Sequence, residues 1–137
     1  MQHNSHTQID RIVLDQNLAL RDAEKIVRHE LAVTLSPAAR TRCREAHDRL
    51  CLAIDEERHI YGLTTGFGPL ANRLIDRRHG TQLQQNLVHH LASGVGPIFD
   101  WAIGRAMVLS RLMSILQGVS GASHAAIDAL VALSLIH

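Results

Sequence analysis

A mainly helical fold is predicted, all-α apart from one short extended segment, and three observations predict it. Apolar residues make up 46% of the chain but aromatic residues only 3%, with alanine and leucine abundant, a bias that favours helix over sheet. Beyond residue 36, apolar positions recur at spacings of three and four, the period of a helix with one buried side. Ser-Pro, Ser and Gly fall where such helices would begin and end. At 137 residues the chain suits a single domain.

Taken in order, residues 8–16 hold the run Ile12-Val13-Leu14 among polar neighbours, which reads as a short strand or extended arm. Residues 21–30 read as a short helix with Ala23, Ile26 and Val27 on one face. Ser36-Pro37 starts a longer one: serine caps the free amides, and proline loses nothing by lacking an N–H in the first turn. Ala39, Cys43, Ala46, Leu50 and Ile54 then form one apolar stripe on a helix over residues 37–57. Residues 61–70 form a glycine-rich loop, and Leu83, Leu87 and Leu91 mark a helix over 81–92. Residues 98–117 are apolar nearly all round, with Ala102, Ala106, Leu109, Met113 and Leu116 as one stripe. Gly118 and Gly121 end that helix, and Ser123 is placed to cap a last one running to residue 135.

Several function classes fall away. Fourteen Lys and Arg against thirteen Asp and Glu leave a net charge of +1, with no basic run to follow a nucleic-acid backbone. The N-terminal residues hold no apolar signal core. No uncharged apolar run reaches the roughly 18 residues a membrane span needs. Cys43 and Cys51 make no disulfide framework; eight residues apart on one helix, they stand about 12 Å from each other. A cytoplasmic protein is expected. The helix over 98–117 is too apolar for a small monomer, so the chain is expected to oligomerise or to belong to something larger. Alone it should self-associate through that exposed surface.

Three places can carry chemistry. Residues 61–68 hold the single tyrosine and three of the nine glycines. Such a loop can bring the Tyr61 phenol against a ligand, or be a plain turn with Tyr61 as a half-buried anchor. It lacks GxGxxG and a βαβ context, so it is no dinucleotide site. His89 and His90 point about 100° apart on a helix and cannot share a metal, and no histidine spacing suggests zinc. His90 lies near the Leu83–Leu87–Leu91 side, which predicts that it is buried, and a lone buried histidine is more often a satisfied core residue than a catalytic one; in a full-length enzyme the same placement would face its imidazole into an enclosed site. Ala92-Ser93-Gly94 reads as a helix C-terminus with Gly94 at positive φ.

Three blocks together resemble the aromatic amino acid ammonia-lyases, the histidine, phenylalanine and tyrosine enzymes. They are YGLTTGFGPLA from Tyr61, LQQNLVHHLASGVGP from Leu83 and RAMVLSRLMSILQGVSGAS from Arg105, and the likeness covers roughly residues 10–133. The resemblance implies a helical homotetramer and a methylidene-imidazolone cofactor, made by cyclisation of an Ala-Ser-Gly triad. It implies that Tyr61 is the base that removes the substrate β-proton, that Gly68 lies against the substrate, and that His90 and Leu91 contact its ring end. His-Leu at that pair is the pattern of the tyrosine enzymes, with histidine and phenylalanine lyases and aminomutases as alternatives. A site built to pair with a hydroxyl can reject a substrate lacking it by as much as ~10⁴. A free phenol ionises near pH ~10, so a tyrosine base needs cationic or dipolar neighbours. Beside Tyr61 only His59 offers one, and other subunits are expected to supply the rest.

Departures from the family set further expectations. Ala92-Ser93-Gly94 aligns with the ordinary ring-end segment and not with the cofactor triad, which would lie beyond residue 137. Ser134-Leu135-Ile136-His137 does not match the family, which points to truncation or a frame change near residue 133. Residues 1–137 are then a single N-terminal portion of a lyase, inactive alone. The rival reading, from a different class, is a non-catalytic remnant that acts only in folding or assembly.

Overall fold

The computed structural model describes residues 10–135. In order they form β1 (Asp10–Leu14), α1 (Leu20–Val27), β2 (Leu31–Leu35), α2 (Pro37–Asp55), α3 (Gly80–Leu91), α4 (Trp101–Ile115) and α5 (His124–Leu135). Short 3-10 turns occupy Gly68–Leu70 and Arg77–His79. The mainly helical expectation holds. Residues 8 and 9 of the expected extended segment, and residues 136 and 137 of the end, lie outside the described residues. No helix among the described residues is long and apolar enough to cross a membrane. The described residues divide into two compact units, 10–48 with 99–135, and 49–98.

In the first unit the expected extended segment is β1, and it has a partner the sequence did not announce. β2 pairs with it in parallel, Asp10 opposite Leu31 through Leu14 opposite Leu35, and α1 makes the crossover. The helix expected over residues 21–30 stops at Val27, which frees Leu31-Ala32-Val33-Thr34-Leu35 to be a strand. Its stop is a left-handed residue, His29 at φ 64°, with the Glu30 amide donating back to the Lys25 carbonyl at 2.9 Å. Glycine usually fills that position. Here Trp101 Nε1–H donates to His29 Nε2 at 2.7 Å, and Arg105 meets the same ring. Burial holds the Arg105 guanidinium below its ordinary pKa.

Ser36 caps α2 as expected, its Oγ accepting from the Ala39 amide at 2.9 Å. The same hydroxyl donates to the Asp15 carboxylate at 2.5 Å, and Arg42 pairs with that carboxylate while its Nη2 reaches the Leu116 carbonyl at 3.2 Å. Ala39, Cys43 and Ala46 are buried, as their spacing requires. These side chains are small enough for Cys43 Sγ to reach the Ile115 carbonyl at 3.5 Å. Burial raises the Cys43 thiol pKa, and neither Cys43 nor Cys51 is in a disulfide.

α4 starts at Asp100, whose carboxylate accepts from the Ala102 amide at 2.9 Å. Its buried face is Arg105, Leu109, Leu112 and Ile115, continued by Leu116, which corrects the expected stripe. Ala106 is exposed, and Ala102 and Met113 are half-buried. A helix apolar on every side has no unique face, so spacing alone could not choose among registers. Ile103 and Met107 remain 49% and 58% exposed, the surplus apolar surface the sequence predicts. Ser123 caps α5, accepting from the Ala126 amide at 3.3 Å, and Ile127 joins the core.

The second unit holds the end of α2, the glycine-rich segment and α3. Among its described residues only Thr65 and Gly66 are buried. Hydrogen bonds hold it where apolar packing does not.

Candidate active site

The turn from Tyr61 is built by two threonines. Thr64 Oγ1 accepts from the Ile60 amide at 2.7 Å and donates to the Arg58 carbonyl at 2.6 Å. Thr65 Oγ1 accepts from the Gly62 amide at 3.2 Å. Backbone bonds close the base of the turn: Gly66 N–H donates to the Arg73 carbonyl at 3.1 Å and Ile75 N–H to the Thr64 carbonyl at 2.9 Å, with Thr65 bridging Leu74. Glycine is needed most at two positions: a Cβ on Gly66 would lie 2.7 Å from Leu70 Cβ and 2.8 Å from the Leu70 carbonyl oxygen, and Gly62 sits at φ 70° with the Phe67 ring 2.5 Å from where a Cβ would project, so a larger residue there would displace the ring. Gly68 sits at φ 52°, and a Cβ there would enter open space.

Tyr61 is 67% exposed, so it is no half-buried anchor. Its ring meets Phe67 edge-on at 6.1 Å and 90°. Its phenol oxygen accepts a hydrogen bond from the Gly68 amide at 3.3 Å. The structure thus joins two of the sequence-predicted residues, and it supplies a dipole that the sequence did not show. The expectation that only His59 could serve the phenol is corrected: a backbone N–H does so, and backbone groups leave no mark in a sequence.

His90 and Leu91 end α3. His90 is exposed and Leu91 is 70% exposed, which corrects the expectation that His90 is buried within this chain. Helical spacing put His90 on the Leu83–Leu87 side, and those leucines are indeed half-buried, but the cover does not extend to the last turn. Ala92 caps the helix, and the Ser93 hydroxyl donates to the His90 carbonyl at 3.0 Å. The residue that turns the chain at positive φ is Gly96, at 111°, rather than Gly94.

Gln84 escaped the sequence reading. It is half-buried beside Leu83, and its Nε2 donates to the Gly62 carbonyl at 2.8 Å. A polar residue inside an apolar register was the available signal. Nearby, a cleft of about 780 Å³ is lined by Ile54, His59, Leu63, Thr64, Asp76 and Gln84 among others. Tyr61, Gly68, His90 and Leu91 are outside that lining. Hydrogen bonds from Arg78 hold the Asp76 carboxyl below its ordinary pKa. Among the described residues no three His, Cys, Asp or Glu side chains converge on a metal position.

The family model for aromatic amino acid lyases matches residues 18–135. The chain is 54% identical to a tyrosine ammonia-lyase of Cereibacter sphaeroides over 88% of its own length and 23% of that protein's. It is 38% identical to a histidine ammonia-lyase of Gloeobacter violaceus over 90% of itself and 24% of that protein. A solved tyrosine aminomutase from Streptomyces globisporus shares the fold, with a TM-score of 0.85 at 23% identity over 91% of this chain and 24% of that one. The chain therefore spans about a quarter of the length of the curated relatives it matches. With YGLTTGFG folded as a turn that sets a phenol on a backbone amide, and with that breadth of match, the chain belongs to the aromatic amino acid lyase family.

Proposed function

We propose that this chain contributes the proton-transfer base and the ring-end contacts of an ammonia-lyase that converts L-tyrosine to p-coumarate and ammonia. The observation that carries the reading is the hydrogen bond from the Gly68 amide to the Tyr61 oxygen. A donor held on that oxygen fixes where the phenol points, as a group that must meet a β-proton requires. High exposure leaves the phenol accessible to a substrate, and the open space at Gly68 lets one lie close to the backbone. His90 offers a hydrogen-bond partner for a substrate hydroxyl, and Leu91 offers apolar contact for its ring. The 54% identity to a protein named tyrosine ammonia-lyase favours tyrosine over histidine or phenylalanine, and lyase over aminomutase.

The electrophile of this chemistry is not made here. Residues 92–94 are an exposed helix end, and the Ser93 hydroxyl is engaged by the His90 carbonyl. In our reading the methylidene-imidazolone, the carboxylate contacts and the other subunits of a cytoplasmic homotetramer lie outside residues 10–135.

In a full-length lyase containing this segment, Tyr61→Phe should keep its fold and its tyrosine binding yet lose at least ~10² in turnover, the scale of general-base catalysis. Steady-state kinetics beside an equilibrium binding measurement check this. Turnover close to wild type removes Tyr61 from the reaction.

A further inference from the structure

Gly62 is the weak point of the turn. Glycine enters positive and negative φ with similar ease, so the residue best able to make this turn is also the one that would let Tyr61 wander. The structure fixes it from both sides. Its N–H is held by Thr65 Oγ1 at 3.2 Å, from within the turn. Its C=O is held by Gln84 Nε2 at 2.8 Å, from α3, 22 residues away in sequence. An amide drawn partly out of water is costly unless its groups are matched, and the Gly62 carbonyl is the match for the Gln84 Nε2–H.

We propose that Gln84 is a positioning residue. By holding the Gly62 carbonyl it keeps that residue left-handed, keeps the Phe67 ring over its α-carbon, and keeps the Tyr61 phenol on the Gly68 amide. The consequence reaches along the helix. His90 stands six residues beyond Gln84, about 9 Å along the axis. One rigid helix thus sets both the aim of the base and the ring-end pair. This proposal rests on the reading of Tyr61 as the base.

The test is a series at position 84 in a full-length lyase containing this segment, followed by ultraviolet absorbance of the unsaturated acid. Gln84→Met keeps the volume and removes the donor. It should lower kcat about tenfold to a hundredfold while KM moves less than about threefold, because misplacing a catalytic group by an ångström costs that much. Gln84→Lys retains a donor of similar reach and should recover kcat to within about threefold of wild type. Gln84→Glu keeps the shape but turns an acceptor toward the carbonyl, so it should be the slowest of the three above neutral pH. Its kcat relative to wild type should climb as pH falls toward the glutamate range at ~4.3, where a protonated carboxyl donates again. Simple packing predicts the opposite order, with the charged lysine worst and no acid recovery in the glutamate variant. A methionine variant at wild-type kcat, a lysine variant slower than methionine, or a flat glutamate ratio each overturns the proposal. Tyr61→Phe run in parallel separates the two claims. If it is inactive while Gln84→Met is normal, the positioning role alone falls; if it is fully active, the base and this proposal fall together.

Discussion

Leu14, Ile26, Leu112 and Leu116 are wholly out of water in the first unit, whereas the one buried side chain described in residues 49–98 is Thr65, a polar one. Each buried leucine or isoleucine contributes about 1.5–3 kcal/mol by leaving water. Thr65 is buried for another purpose: its hydroxyl holds the Gly62 amide. The difference teaches what each region is for. The first unit is a scaffold, secured by packing and by a parallel βαβ turn of chain. The second presents a phenol, an imidazole and a cleft at its surface, and holds the turn that carries the phenol with hydrogen bonds that water can contest. A reactive group sealed inside a core would never meet a substrate.

The largest expected effect tests that division directly. Leu112→Ala removes a fully buried side chain from the core and should cost about 2–5 kcal/mol, with a cavity left behind. Leu91→Ala, at the exposed end of α3, should stay within about 0.5 kcal/mol. Urea unfolding of both variants, with hydrogen exchange to assign the loss to a unit, measures the contrast. Equal costs would mean that the ring-end helix is core after all.

A middle-sized effect concerns His90 and sharpens the comparison, because it asks what closes over an exposed imidazole. Residues 10–135 leave His90 in water, so on the proposed reading any enclosure that makes it selective would have to come from groups outside these residues. There phenylalanine would leave the imidazole partly unpaired, at a cost of about 1–3 kcal/mol, or roughly tenfold to a hundredfold in preference. His90→Phe should therefore shift the kcat/KM ratio from tyrosine toward phenylalanine by that factor, with the reaction intact. An unchanged ratio would show that His90 stays solvated during catalysis.

What the sequence disclosed divides along the same line. Ser36-Pro37 and Ser123 are local signals, and both helices begin where they say. β2 was hidden because α1 ends on a left-handed histidine, held by Trp101 and Arg105, where glycine would have given warning. α4 is legible as over-apolar, yet of the five positions its spacing predicts only Leu109 and Leu116 lie on the buried face, because every face qualifies. At the site, Tyr61 and Gly68 stood out by type, but their hydrogen bond did not, since one partner is a main-chain amide. Gln84 was passed over for the same reason: it acts on a carbonyl. The exposure of His90 depends on what covers the helix end, which no helical periodicity encodes.

The smallest effect lies within the scaffold, where it shows that the first unit too has one joint made by charge. Asp15 follows β1 and accepts from the Ser36 hydroxyl and from Arg42, and both lower its pKa from the ordinary 3.8, the serine bond most. A carboxylate whose folded pKa is depressed binds fewer protons than in the unfolded chain. Its contribution is therefore complete above the ordinary value, and is lost as pH falls through the folded one. The joint is partly exposed, the Asp15 side chain by 42% and Arg42 by 26%, so the contribution is modest and its ionic share is screened by salt. Asp15→Asn should lower the midpoint of urea unfolding slightly at pH 7, and the gap from wild type should close as pH falls below the ordinary carboxylate value and on through the lower folded one, where Asp15 itself is protonated. Added salt should narrow the gap only in part, because the Ser36 bond is short-range and the Arg42 attraction is not. A gap that survives to low pH would show that asparagine fails by shape and that charge is not what holds this joint. A gap abolished by salt at pH 7 would give the joint to Arg42, and leave Ser36 to its second task of starting α2.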